Sequence, residues 1–231
     1  MLVPPPGRPD TVPKVARGRL ITVEGLDGSG KSTLCVGLVE ALSERGLDVR
    51  LLREPGGVEA AERMRGLLHD PALHIGARSE ALLFAAARAQ LVEEALEPLL
   101  NAGTWVVLDR FVDSSLAYQG SGRRLGMQDV AEINRFATRG LAPDRTLLLT
   151  ISPELGRARI RSRSTAADRL EREHEEFFTR VATGYAELAA SDPQRIRSLD
   201  ASEPPDRVLE AALAQVKDLF PLGADSRRSP S

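Results

Sequence analysis

The sequence predicts a three-layer α/β/α domain, in which helices cover both faces of a parallel sheet. Three observations carry this. Short apolar runs recur at residues 20–23, 48–52, 104–108, 147–151 and 196–200, and continuous apolar runs mark strands buried on both faces. Helical patterns separate most of these runs, which is the alternation of a parallel sheet with crossover helices. The first run opens directly into Gly25-x-x-x-x-Gly30-Lys31-Ser32, the P-loop pattern, whose glycine-rich turn needs a strand before it and a helix after it.

Around the loop the elements follow in order. Leu20-Ile21-Thr22-Val23 is the strand, and Leu34, Cys35, Leu38, Val39 and Leu42 lie on one face of the following helix, with Gly46 as its stop. The loop residues Gly25, Leu26, Asp27, Gly28, Ser29, Gly30, Lys31, Ser32 and Thr33 form a phosphate cradle of exposed amides at a helix N-terminus. Lys31 is placed to reach the β- and γ-phosphates and the Ser32 hydroxyl to hold Mg²⁺. The chain has 3 lysines and 28 arginines, so this lysine is a specific signal. The pattern points to a protein that binds a magnesium nucleotide and leaves kinase, ATPase switch and GTPase open.

Residues 48–52 form a second strand that ends in Arg53-Glu54-Pro55-Gly56-Gly57. Ligands of open α/β sheets gather at such strand ends, so Arg53 and Glu54 are site candidates. A helix is expected from Val58 to about His69, and a long one from Arg78 to Asn101, with Leu82, Leu83, Ala86, Leu91, Ala95 and Leu99 on its packed face. Phe84 and Arg88 are four apart and share a face; a ring for stacking beside a fork of donors suits a nucleobase. A core phenylalanine beside a surface arginine is the commoner source of that spacing. The strand over residues 104–108 ends in Asp109-Arg110, and an acid there matches the second carboxylate of P-loop sites, which helps to hold Mg²⁺. A helix over 128–138 follows. Arg157, Arg159, Arg161, Arg163, Arg169 and Arg172 make an arginine-dense stretch with Ser162, Ser164 and Thr165 inside it. This composition suits a flap that brings arginines onto transferring phosphate, or a solvated basic face. A last helix is expected from about Pro205 to Phe220.

The bulk properties narrow the class. The net charge of −2 gives no reason to expect nucleic acid or a membrane as partner. The single cysteine, Cys35, excludes an internal disulfide and fits a reducing cytoplasm. His69, His74 and His174 lack metal-ligand spacing. No apolar run reaches the length of a membrane span. The expected organisation is a disordered extension over 1–17, one domain over 18–220 with a lid at about 157–172, and a flexible tail over 221–231.

Taken together, the motifs at 25–32, 53–57, 82–88 (Leu-Leu-Phe-Ala-Ala-Ala-Arg), 109–111 (Asp-Arg-Phe) and 114–120 (Ser-Ser-Leu-Ala-Tyr-Gln-Gly) resemble bacterial thymidylate kinases, of the P-loop NTPase class, from about Leu20 to Leu219. The resemblance implies a five-stranded parallel sheet with a flexible arginine-rich lid, transfer of a phosphoryl group from MgATP to dTMP, and a homodimer. It implies that Lys31, Ser32 and the loop amides bind ATP phosphates, with Asp109 serving the metal. Asp27 would contact the dTMP sugar and phosphate region, and Arg53 and Arg110 its phosphate. Phe84 would stack on thymine, Arg88, Ser115 and Gln119 would bond its edge, and Tyr118 would crowd the sugar 2′ position. Two positions depart from the family: Phe111 where tyrosine is common, and Thr150 where aspartate is common. The P-loop also lacks an arginine, so a catalytic arginine must come from the arginine-dense stretch: Arg163 first, Arg169 second, with Arg159 and Arg161 next. The rival readings are a kinase for another nucleotide or a deoxynucleoside, a switch or partition ATPase, and a catalytically silent nucleotide-binding module.

Overall fold

The computed structural model describes residues 16–162, 169–170, 172 and onward to 220. Residues 1–15 of the expected extension, the tail over 221–231, and Arg163, Ser164, Thr165, Asp168 and Glu171 of the expected lid lie outside the described residues.

A five-stranded sheet forms the middle layer, in the order β2-β3-β1-β4-β5. The strands are β1 (Leu20–Gly25), β2 (Val49–Arg53), β3 (Trp105–Asp109), β4 (Arg145–Thr150) and β5 (Ile196–Asp200), and every adjacent pair is parallel. β1 is buried along its whole length, as its unbroken apolar run requires. All carboxyl ends lie along one edge. The chain reverses direction across the sheet between β1 and β3, where such sheets open a crevice for ligands.

The alternation of β1 assigns its two faces. Ile21 and Val23 face a core shared with Leu34, Cys35, Leu38 and Leu42 of α1 (Lys31–Ser43) and Val208, Ala212 and Val216 of α9 (Pro205–Val216). Leu20, Thr22 and Glu24 face the opposite layer. There Leu20, Val106 and Leu108 pack under Leu91, Val92, Leu96 and Leu100. These belong to a continuous helical run: α3 (Ala77–Leu91), a π-helical segment Val92–Leu96, and α4 (Glu97–Asn101). α2 (Glu59–His69) packs beside α3.

The expected helix over 78–101 is present, but its packed face is turned. Ala81, Ala85, Ala87, Arg88 and Leu91 are buried, whereas Leu82 is 55% exposed and Ala86 is exposed. The period was legible and the phase was not, because a buried arginine occupies the place where an apolar residue is expected. After β3 come α5 (Val112–Ser115), a π-helical segment Leu116–Gly122, and α6 (Met127–Ala137).

The arginine-dense stretch begins as an ordinary helix, α7 (Pro153–Arg161), capped by the Ser152 side chain. Arg157 pairs with Glu175 at 2.7 Å, and Arg159 donates to the Ala201 carbonyl at 2.9 Å. Sequence reading placed no element between this stretch and β5. The structure has α8 (Glu175–Ser191) there, with Phe177, Phe178, Val181 and Tyr185 buried. Glu175 and Glu176, read from sequence only as acids following the arginines, form its first turn, where the helix dipole favours negative charge.

Candidate active site

The loop after β1 turns on glycines at positive φ, two of which the fold leaves no alternative. Gly25 has φ 138°, and a Cβ there would lie 2.5 Å from the Leu149 carbonyl oxygen. Gly28 has φ 80°, and a Cβ would lie 2.3 Å from the Gly156 oxygen, because α7 passes directly over the loop. Glycine alone meets both demands. Lys31 is 7% exposed and curls back to donate to the Leu26 carbonyl at 2.9 Å, with Asp27 at 3.8 Å. Burial, and then the nearby Arg110, lower its pKa to about 8. The Ser29 hydroxyl is buried with no hydrogen-bond partner among the described residues. An unsatisfied buried hydroxyl in a glycine-rich turn at a helix N-terminus fits a phosphate oxygen.

Ser32 donates to Asp109 Oδ2 at 2.8 Å, so the two proposed metal ligands already meet across 77 residues of sequence. Both are hard oxygen donors. No group of three or more His, Cys, Asp or Glu side chains is placed to hold a metal among the described residues. A pair of oxygens beside a phosphate cradle suits Mg²⁺, which binds through one or two protein oxygens plus phosphates and waters.

The other side of the cleft is built from side chains. Arg110, at φ 70°, is one of three described residues other than glycine at positive φ, a conformation that persists only where surroundings enforce it. Here they do. Its guanidinium pairs with Asp27, donates to the Gly25 carbonyl at 3.1 Å and to Ser114 Oγ at 3.0 Å, and lies 5.1 Å above the Tyr118 ring. Burial opposes ionisation of Asp27, but Arg110, Lys31 and the Tyr118 hydroxyl outweigh it and hold its pKa at about 2. The Tyr118 hydroxyl donates to Asp27 Oδ2 at 3.0 Å.

Behind Arg110 lies Glu24, fully buried on β1. It accepts from the Phe111 amide at 2.7 Å, Ser114 Oγ at 2.5 Å and the Tyr185 hydroxyl at 3.0 Å. Burial and then Asp113 push its pKa up to about 7. These bonds fix the turn that aims Arg110 into the cleft.

Arg88 is 2% exposed, so it is not a surface arginine. It donates to Glu54 Oε2 at 2.7 Å, Ser115 Oγ at 2.9 Å, the Phe111 carbonyl at 2.9 Å and Asn134 Oδ1. Phe84 is half-buried beside it. Gln119 donates from Nε2 to Glu80 at 2.9 Å. Arg53 stands at the rim, paired with Glu62 at 3.1 Å.

These residues line one cleft of about 310 Å³, bounded by Asp27, Gly28, Gly30, Lys31, Ser32 and Thr33 on one side and by Arg53, Phe84, Arg88, Arg110, Ser115, Tyr118 and Gln119 on the other. Arg169 does not line that cleft. It sits 2.7 Å from Glu80 and donates to the Leu68 carbonyl at 3.0 Å. Action on bridging phosphates requires it to leave both partners. Glu24, Glu80, Arg123, Asn134 and Tyr185 were missed by sequence reading, and Glu54 and Ser114 were singled out without a role. Glu24 had a signal, a carboxylate ending an otherwise apolar strand. The others had none, since each acquires its role from a partner far along the chain.

The comparisons with known proteins agree with this geometry. The family model described as Thymidylate kinase matches residues 23–212. The thymidylate kinase of Halorhodospira halophila is 45% identical over 90% of this chain and 97% of its own length. That of Lactobacillus delbrueckii subsp. bulgaricus is 45% identical over 89% and 98%, and that of Bordetella pertussis is 44% identical over 88% and 96%. A family match over most of the chain, on a five-stranded parallel sheet with a P-loop at its switch point, shows that the chain belongs to the thymidylate kinase family.

Proposed function

We propose that the chain binds MgATP at the P-loop and dTMP at the side-chain-built end of the cleft, and transfers the γ-phosphoryl group to give dTDP. Family membership makes it an ATP-dependent nucleoside monophosphate kinase. The observation that supports the site assignment is the shared cleft, in which Lys31 and Ser32 stand opposite Phe84, Arg88 and Arg110. Cradle and base pocket open on the same space.

In the transfer, an oxygen of the dTMP phosphate attacks the γ-phosphorus in line, the bond to the β–γ bridging oxygen breaks, and ADP leaves. The nucleophile is already an anion, so no general base is assigned. Positioning and charge neutralisation supply the rate. Lys31 neutralises the transferring phosphates, and leaves the Leu26 carbonyl to do so. Arg110 holds the acceptor phosphate, with Arg53 at the rim. Phe84 stacks on thymine, while Arg88, Ser115 and Gln119 address its edge. Arg88 bonds the base by exchanging one of its protein partners. Tyr118 and Asp27 border the sugar. Ser32 and Asp109 would hold Mg²⁺, which neutralises the β- and γ-phosphate oxygens when bound. The catalytic arginine of the lid is assigned to Arg163 first and Arg169 second.

The chain is read as a cytoplasmic homodimer. Phe136 of α6 is 88% exposed, Leu82 of α3 55% and Leu67 of α2 49%, and large apolar side chains on neighbouring helices suit burial between subunits. The free buried Cys35 fits a reducing compartment.

Coupled measurement of ADP production with dTMP, dUMP, dGMP and no acceptor tests the reading. Turnover that depends on dTMP is expected. ADP release that is the same without an acceptor would overturn it in favour of an ATPase.

A further inference from the structure

Glu80 is a fully buried carboxylate that the transfer chemistry does not use. It sits in the first turn of α3, four residues before Phe84 and eight before Arg88, so the three side chains share one helical stripe. Three hydrogen bonds and an ion pair hold it. Oε1 accepts from Gln119 Nε2 at 2.9 Å and Arg123 Nε at 3.1 Å, and Oε2 from Arg123 Nη2 at 3.1 Å, with Arg169 Nη2 at 2.7 Å. Arg123 is in turn fixed by Glu173 at 2.6 Å and lies 4.8 Å above the Phe177 ring. A carboxylate gripped by a two-pronged guanidinium fork does not rotate.

This has a consequence for Gln119, which is 2% exposed and lines the cleft. An amide has a donor end and an acceptor end. A carboxylate accepts only, so the nitrogen of Gln119 must face Glu80. Its Oε1 has no protein donor among the described residues and is the end left for a ligand. We propose that Glu80 sets the choice of pyrimidine: by holding the Gln119 nitrogen, it leaves the Gln119 oxygen as an acceptor that pairs with the N3–H of thymine and rejects cytosine, whose N3 is itself an acceptor. Glu80 is thus a positioning residue that acts through Gln119. The inference rests on the assignment of the base pocket to dTMP.

The test compares kcat/KM for dTMP, dUMP and dCMP in the wild type, Glu80→Gln, Glu80→Asp, Gln119→Ala, and Glu80→Gln combined with Gln119→Ala. A glutamine at 80 can donate or accept, so it frees the Gln119 amide to flip. Glu80→Asp keeps the charge for Arg123 and Arg169 but withdraws it from Gln119, and it serves where Glu80→Gln does not fold. Both single variants at 80 are expected to lower the dTMP-to-dCMP ratio about tenfold or more, since an unpaired or mispaired buried hydrogen bond is worth about that. The dTMP-to-dUMP ratio stays constant, because both bases carry N3–H, and general damage to the pocket would not respect that distinction. In the Gln119→Ala background the substitution at 80 changes the dTMP-to-dCMP ratio no further. The inference is overturned if that ratio is unmoved in both variants at 80, if dTMP and dUMP separate as much as dTMP and dCMP, or if the effect survives the loss of Gln119. A wild type that phosphorylates no dTMP overturns the functional reading and this inference with it; a wild type that does, with an unmoved ratio, overturns this inference alone.

Discussion

The two ends of the cleft are made in different ways. The donor end is nearly all main chain. Apart from Asp109, its parts lie within residues 25–33, and its demands fall on glycines whose Cβ atoms would strike the Leu149 and Gly156 carbonyls. The acceptor end is nearly all side chain. Arg88 reaches Glu54 across 34 residues and Asn134 across 46, and Arg110 reaches Asp27 across 83. A phosphate is recognised by amides that any sequence with the right turn supplies. A particular base needs donors and acceptors held in fixed places, and here buried ion pairs hold them. The donor end is therefore expected to fail chemically when altered, and the acceptor end structurally as well.

The largest effect is expected from Lys31→Ala. It removes the charge that the proposed mechanism assigns to the transferring phosphates, and kcat should fall by about 10³. Stability in urea should be unchanged, since the wild-type lysine is buried against its tendency to be charged. A near-normal kcat would remove Lys31 from the donor end.

Arg88→Ala should act oppositely. It strands the buried Glu54 carboxylate, and breaking a buried pair of this kind costs about 3–5 kcal/mol. Urea unfolding should show that loss, and dTMP use should drop with it while ATP affinity in the folded fraction stays similar. Restoring stability by Arg88→Met with Glu54→Met, without restoring dTMP use, would sharpen the distinction between holding the pocket and reading the base.

A third effect is set by pH. With Lys31 lowered to about 8, the free enzyme loses this charge as pH rises through that value, and kcat/KM for ATP should fall about tenfold per unit above it. Bound phosphates favour the charged form, so kcat should hold to higher pH. Parallel profiles for the two parameters would contradict this.

A fourth effect concerns Glu24. Its folded pKa of about 7 lies above the ordinary value of 4.5, so the folded state binds the proton more tightly. The associated stability is fully present below 4.5 and is lost as pH rises through 7. Glu24→Gln should remove about 3 kcal/mol of the wild-type decline between these values. Asp113, Arg110 and Tyr185 face the same carboxylate, and a decline that persists unchanged in Glu24→Gln would rule out Glu24 as its source.

What was legible in the sequence follows the same division. The P-loop, the strand ending at Asp109 and the sheet itself are local patterns, and each stands where the pattern put it. Arg88 was recognised as sharing a face with Phe84, but its burial was not legible, because nothing near it in sequence announces Glu54 or Asn134. The same lack of a local signal turns the face of α3: an apolar pattern puts Leu82 in the core and leaves the charged Arg88 out of it. α8 was missed for a different reason. Its apolar face, Phe177, Phe178, Val181 and Tyr185, is at helical spacing, but it follows directly on the arginine-dense stretch, whose charge pattern masks it. Glu80 and Arg123, 43 residues apart, carry no sequence signal of their pairing at all.

The separability of the two ends is tested most directly by calorimetric titration of dTMP into Lys31→Ala without ATP. The acceptor end is held by its own buried pairs, so the dissociation constant is expected to stay within about threefold of wild type. Lys31 lies 3.8 Å from Asp27, the partner of Arg110. A loss of dTMP affinity of tenfold or more would mean that this contact carries the acceptor site, and that the cleft is one structure rather than two.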